Sequence, residues 1–126
     1  MAQLKTITLY FMVALLAVSL SSCSKKADEN ISIADAKAEA DKMDVSQLKA
    51  MATKYKDAIM AKQKEIDKVM AKIKEIPTLE AMGEEAKGLQ ADLSALNKSL
   101  QNLKDRFYVY YDKFVSKGGN ASEVKL

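Results

Sequence analysis

Reactive groups are scarce in this chain. Its 126 residues include one thiol, Cys23, no His and no Trp, with one Pro, four Gly and seven Met. Without His there is no imidazole base, no His-ligated metal and no His-based pH switch, and a lone Cys forms neither an internal disulfide nor a thiolate metal cluster. Carboxylates are the remaining route to hydrolysis or calcium binding. Glu84 and Glu85 are adjacent and point to different faces of a helix, while Asp41 with Asp44 and Glu65 with Asp67 fall on faces expected to be solvated. No EF-hand loop holds them, no enclosed cleft is expected to shift their pKa, and no P-loop lysine arrangement accompanies Gly83 and Gly88. The chain is therefore expected not to be an enzyme, with no catalytic residue, no cofactor-binding residue, no metal and no evident small-molecule substrate.

The first 23 residues differ from the rest. Lys5 supplies a positive start, Ile7 to Val18 is apolar apart from Thr8, and Leu20-Ser21-Ser22-Cys23 follows with small residues before the thiol. That order reads as a secretory signal segment. The apolar run falls short of the roughly 20 residues needed to cross a bilayer core, so it is not expected to persist as a span.

The tetrad Leu20, Ser21, Ser22 and Cys23 resembles the lipobox of bacterial lipoproteins. The resemblance covers about a fifth of the chain and places no family on the remainder. It implies a signal peptide over 1–22, cleaved before Cys23, and covalent lipid on Cys23: diacylglycerol on sulfur and an acyl group such as palmitate on the amine. Two or more chains hold a protein firmly to a membrane, whereas one does so marginally. Ser24 stands where, in the best-known Gram-negative sorting rule, Asp would favour inner-membrane retention. The resemblance thus implies a lipid-anchored cell-envelope protein, with the outer membrane favoured over the inner.

Removing 1–22 takes away one charge, Lys5, from a balance of +3. So weak an excess, without a concentrated basic face, argues against nucleic acid as a partner. Residues 23–32 read as the lipidated Cys and a polar, flexible tether. Its lysines, Lys25 and Lys26, are suited to contact anionic headgroups.

From Ile31 onward the apolar spacing is helical. Steps of four and three from Leu48 reach Ala52, Tyr55, Ile59, Lys62, Ile66, Val69, Ile73 and Ile76, and only Lys62 is polar. A second series runs Leu79, Met82, Ala86, Leu89, Leu93, Leu96, Leu100, Leu103, Phe107, Tyr110 and Phe114. A sustained 3.5-residue repeat is a coiled-coil seam. Pro77 separates the two series and should end one helix and sit in the first turn of the next. The expected fold is all-α: an antiparallel two-helix coiled-coil hairpin over 33–117 with its turn near 77–78. Matching the series about that turn faces Tyr55 with Leu100, Ile59 with Leu96, Lys62 with Leu93 and Val69 with Ala86. The competing arrangement is one helix kinked at Pro77 whose seam lies on another chain. Ser32 with Asp35 and Asp44 with Gln47 are start signals, so helix is expected from residue 33 with an interruption at 43–45. Ile31, Ala34, Ala38, Asp41 and Val45 would extend the seam. Gly118 and Gly119 should stop the second helix and leave 118–126 as a mobile tail.

Five side chains are singled out as candidate interaction sites: Met60, Met70, Glu84, Tyr108 and Tyr111. Met60 and Met70 lie off the seam and suit an adaptable surface for self-association or a partner helix, or are partly covered by lysine stems. Tyr108 and Tyr111 lie outside the seam in an aromatic run, and are suited to pack on the Ala-rich start of the first helix or to meet headgroups or protein. The hairpin topology would place that aromatic end near the lipidated terminus. The functional expectation is a membrane-anchored lipoprotein presenting the hairpin as a structural spacer, scaffold or protein-interaction module. The alternative is a periplasmic holdase-like chaperone or an accessory subunit of an envelope complex.

Overall fold

A computed structural model of the protein describes residues 26–77 and 83–126. Among these residues the fold is all-helical, with no strand. The signal segment, Cys23 and residues 78–82 lie outside the described residues.

Helix α1 spans Ile33–Lys42, α2 spans Val45–Glu75 and α3 spans Glu84–Ser116, followed by a short 3-10 turn at Ala121–Val124. Each start has a local cause. Ser32 Oγ accepts from the Asp35 amide at 3.0 Å and opens α1. At α2 the cap is reciprocal: the Gln47 amide donates to Asp44 Oδ1 at 2.8 Å and the Asp44 amide to Gln47 Oε1 at 3.1 Å. Such boxes satisfy two orphan amides that the first turn leaves open. Helix α2 ends at Glu75, just before Pro77, which has no amide proton to continue the ladder. Helix α3 starts later than the Pro77–Thr78 position expected from sequence. Its N-cap is Gly83, and the acids Glu84 and Glu85 fill the first turn, where peptide dipoles favour negative charge.

Helix α2 packs along α3, and α1 packs on α3. The seam residues Leu48, Ala52, Tyr55, Ile59, Ile66, Leu100, Leu103, Phe107, Tyr110 and Phe114 are buried, as their spacing required. Their pairing differs from the sequence register. Tyr55 stacks on Tyr110, with ring centroids 5.4 Å apart, instead of facing Leu100, and Val69 shares a groove with Leu96 instead of facing Ala86. Both partners are displaced by ten residues along α3, a heptad plus a three-residue step, which carries one seam position onto another, so the repeat alone does not select the register.

Helix α1 departs from its expected phase as well. Ala36 and Ala40 are its buried residues, whereas Ala34, Ala38 and Val45 are exposed. The break at Met43–Asp44 lets α1 turn back, so the heptad phase of α2 is not carried into it. Small Ala36 and Ala40 permit a close approach to α3.

The segment read as a mobile tail folds back onto the helices. Gly118 has φ of 99°, the Gly119 amide donates to the Phe114 carbonyl at 2.9 Å, and the Gly118 amide to Val115 at 3.0 Å. This left-handed cap reverses the chain, and only glycine takes that φ without strain. The reversal brings Val124 into the core, where it is 1% exposed, and sets Glu123 2.8 Å from Lys49. Three helices and the returning chain therefore meet at one end, the base. Beyond Ile59 on α2 and before Leu100 on α3, Val69, Ile73, Ile76, Leu89, Leu93 and Leu96 are only half-buried.

Candidate functional site

The polar groups of the base converge on the chain that leads back towards Cys23. Tyr55 is buried at the α2–α3 seam, and its hydroxyl both donates to the Asp28 carbonyl at 2.8 Å and accepts from the Asp28 amide at 3.0 Å. Arg106 donates to the Ile31 carbonyl through Nε at 2.9 Å and Nη2 at 2.6 Å, while its Nη1 reaches the Asn102 carbonyl at 3.2 Å. Ser99 donates to the Glu29 carboxylate. Residues 28–31, within the stretch expected to be a flexible tether, are thus held by backbone contacts from two helices. The reason is geometric: an extended chain carries unpaired amides and carbonyls, and a phenol and a guanidinium supply partners that require no particular side chain.

The hold continues along α1. Tyr110 donates to Glu39 Oε2 at 3.2 Å, Lys113 pairs with Asp41, and Lys117 donates to the carbonyls of Asp41 at 3.1 Å and Met43 at 2.6 Å. The Lys117 contacts satisfy carbonyls left open where α1 ends. Burial raises the Tyr55 hydroxyl above its ordinary value of 10.0 and the Tyr110 hydroxyl well above it, with neighbouring Tyr55 and Glu39 pushing Tyr110 further in the same direction. Asp41 is lowered, chiefly by its hydrogen bond to Lys113 and by that ammonium's charge. The base therefore keeps both phenols protonated as donors at neutral pH.

The five candidate interaction residues are dispersed. Met60 and Tyr108 are brought together, about half exposed, in a shallow groove with Ile59, Leu126, Lys56 and Lys104. Tyr108 also borders a second groove with Lys37 and Ala40 of α1. Tyr111 is half-buried, stacks on Phe107 at 5.4 Å and donates weakly to the Ala121 carbonyl at 3.5 Å. Met70 is exposed further along α2, and Glu84 is exposed in the first turn of α3. Neither joins the Met60–Tyr108 groove. Lys62 lies within reach of Glu65 at 3.4 Å, its ammonium turned along the helix surface. Cys23 and the lipobox residues Leu20, Ser21 and Ser22 lie outside the described residues.

The clamp on 28–31 was missed in sequence because Tyr55 and Arg106 look like an ordinary seam residue and an ordinary surface charge. A usable signal existed in Arg106, the chain's sole Arg among its basic residues, placed beside the aromatic run. Among the described residues no helix is long and apolar enough to cross a membrane. Comparison of the chain with protein-family models, with curated proteins and with solved structures finds no match.

Proposed function

We propose that the chain is a membrane-anchored bacterial lipoprotein, lipidated at Cys23, that presents an antiparallel coiled-coil hairpin as a spacer, scaffold or protein-interaction module in the cell envelope. The observation that carries this reading is the placement of Leu20-Ser21-Ser22-Cys23 directly after the apolar run Ile7 to Val18. Support for the hairpin comes from the Tyr55–Tyr110 stack and from the groove that Val69 and Lys72 share with Asp92 and Leu96, since the partner number falls on α3 as it rises on α2. The outer membrane is favoured in a Gram-negative cell by Ser24. No catalytic role, cofactor or nucleic-acid partner forms part of the proposal.

Metabolic labelling with an alkynyl fatty acid tests the anchor. The wild-type chain should take up label and sediment with membranes, and Cys23→Ala should lose the label and leave precursor or soluble protein. Labelling that survives this substitution overturns the reading.

A second reading, a holdase-like chaperone or an accessory subunit of an envelope complex, draws on the exposed apolar pair Met60 and Tyr108. Site-specific photocrosslinking in cells from Met60, Tyr108 and Glu84 separates the two. A scaffold or subunit yields one defined product, whereas a chaperone yields many and suppresses client aggregation.

A further inference from the structure

We infer that a second copy of this chain docks on the Tyr108 face of α3, the two helices meeting antiparallel about a two-fold axis at that ring. This rests on the reading of the hairpin as a protein-interaction module and names the partner it takes.

The ring is held as an anchor would be. Tyr108 is 49% exposed, yet it makes edge contacts with Phe107, at a centroid distance of 5.3 Å, and with Tyr111, at 6.3 Å. A side chain fixed before docking loses little freedom on binding, and Tyr and Met are enriched where protein interfaces exclude water. Met60, 50% exposed, and Leu126, 46% exposed, line the groove of about 370 Å³ that Tyr108 borders on its α2 side. On its α1 side lies a second groove of about 460 Å³, so a partner's side chains have room around the ring.

The charges single out a copy of the same surface. Lys56 and Lys104 line the first groove, which has no acid in its wall. Asp105 and Asp112 line the second, beside Lys37 and the Asp41–Lys113 pair. Along α3 this polarity is regular: Lys104, Tyr108 and Asp112 are four residues apart and form one ridge, each charge about 6 Å along the axis from the ring. Among the described residues neither Lys104 nor Asp112 has a salt-bridge partner.

Laid antiparallel on itself about Tyr108, the ridge sets Lys104 of each copy against Asp112 of the other. Gln101 then falls opposite Val115 and Asp105 opposite Tyr111, so no like charges meet. A parallel arrangement would oppose lysine to lysine and aspartate to aspartate, which excludes it. Self-complementarity under a two-fold rotation is the property of an isologous dimer interface.

The test is sedimentation equilibrium of the full-length protein in a density-matched detergent, which reads the protein mass alone. The wild type should show a dimer that dissociates on dilution. Lys104→Glu places acid against acid at both crossings, and Asp112→Lys places base against base. Each alone should raise the dissociation constant about a hundredfold, about tenfold for each of the two pairs. An equimolar mixture of the two variants should recover the dimer, because the heterodimer restores opposite charges at both crossings. Tyr108→Ala should give monomer without any change of charge, and circular dichroism should show wild-type helix content for all three variants. A wild type that stays monomeric at every concentration overturns the inference. So do single variants that dimerise as the wild type does, which put any self-association on another face, and so does a mixture of folded variants that stays monomeric. Failure of acyl labelling at Cys23 removes the anchor and leaves the dimer, whereas failure of the charge exchange removes the dimer and leaves the anchor.

Discussion

The base and the arm use the same heptad spacing but fold to different depths. At the base, Leu48, Tyr55, Phe107, Tyr110 and Phe114 are at most 1% exposed, because α1 and Val124 close over the α2–α3 pair. Along the arm Ile66 and Ala86 are buried, each 3% exposed, but Ile73, Leu89, Leu93 and Leu96 stay half-buried at their seam positions, because two helices alone leave much of their seam open to water. Periodicity determines which face turns inward, and the number of neighbouring elements determines how far water is excluded. Since apolar stabilisation follows the area removed from water, the base should hold most of the fold's stability.

The largest expected difference follows from truncation. Phe107→Ala should cost about 3–5 kcal/mol, whereas Leu93→Ala, which starts half-exposed, should cost about 1 kcal/mol. Urea denaturation of the two variants measures both, and equal losses would erase the distinction between the regions. Next in size is the chain reversal that closes the base. A Cβ on Gly119 would overlap the ring of Phe114, so Gly119→Ala should destabilise by about 1–3 kcal/mol, while Gly88→Ala, where nothing lies near, should be neutral or stabilising. Thermal melts of this pair show whether the C-terminal segment contributes to the base.

Tyr55→Phe keeps the stacked ring and removes both hydrogen bonds to Asp28, for an expected loss of about 1–2 kcal/mol and faster hydrogen exchange at the Asp28 amide. The same hydroxyls give the base an alkaline limit. Folded Tyr55 and Tyr110 bind their protons more tightly than the unfolded chain does, so their contribution is complete below pH 10.0 and is lost as pH rises beyond it. Denaturation midpoints should therefore fall above that pH, and Tyr110→Phe should flatten the fall. The smallest effect belongs to the arm: Lys62→Leu, in which a seam ammonium is replaced by a side chain that adds apolar burial, should raise stability by about 0.5–1 kcal/mol. An unchanged or lower midpoint would show that Lys62 does not lie on the seam.

Much of the helical layout was legible from spacing and caps. Ser32, Asp44 and Pro77 mark boundaries through hydrogen-bonding capacity that a sequence displays directly, and the inward residues of α2 and α3 follow from a period that any register preserves. Register itself was not legible, because a slip of ten residues, a heptad plus three, still sets a seam residue of α3 against Tyr55, whether Leu100 or Tyr110. The phase of α1 and the burial of Val124 were hidden for a related reason. Both depend on chain reversals, at Met43–Asp44 and at Gly118–Gly119, whose outcome is set by distant packing rather than by local preference. The hold on residues 28–31 was the least visible, since Tyr55 and Arg106 recognise main chain there and leave no pattern in the side chains they grip.

Native-state hydrogen exchange read residue by residue tests the contrast between base and arm most directly. Amides of Leu48 to Ile59 and of Leu103 to Phe114 should exchange only through global unfolding, with opening free energies equal to the denaturation value, while those of Val69 to Ile73 and Leu89 to Leu93 should exchange through smaller local openings. Uniform protection along α2 and α3 would contradict the account.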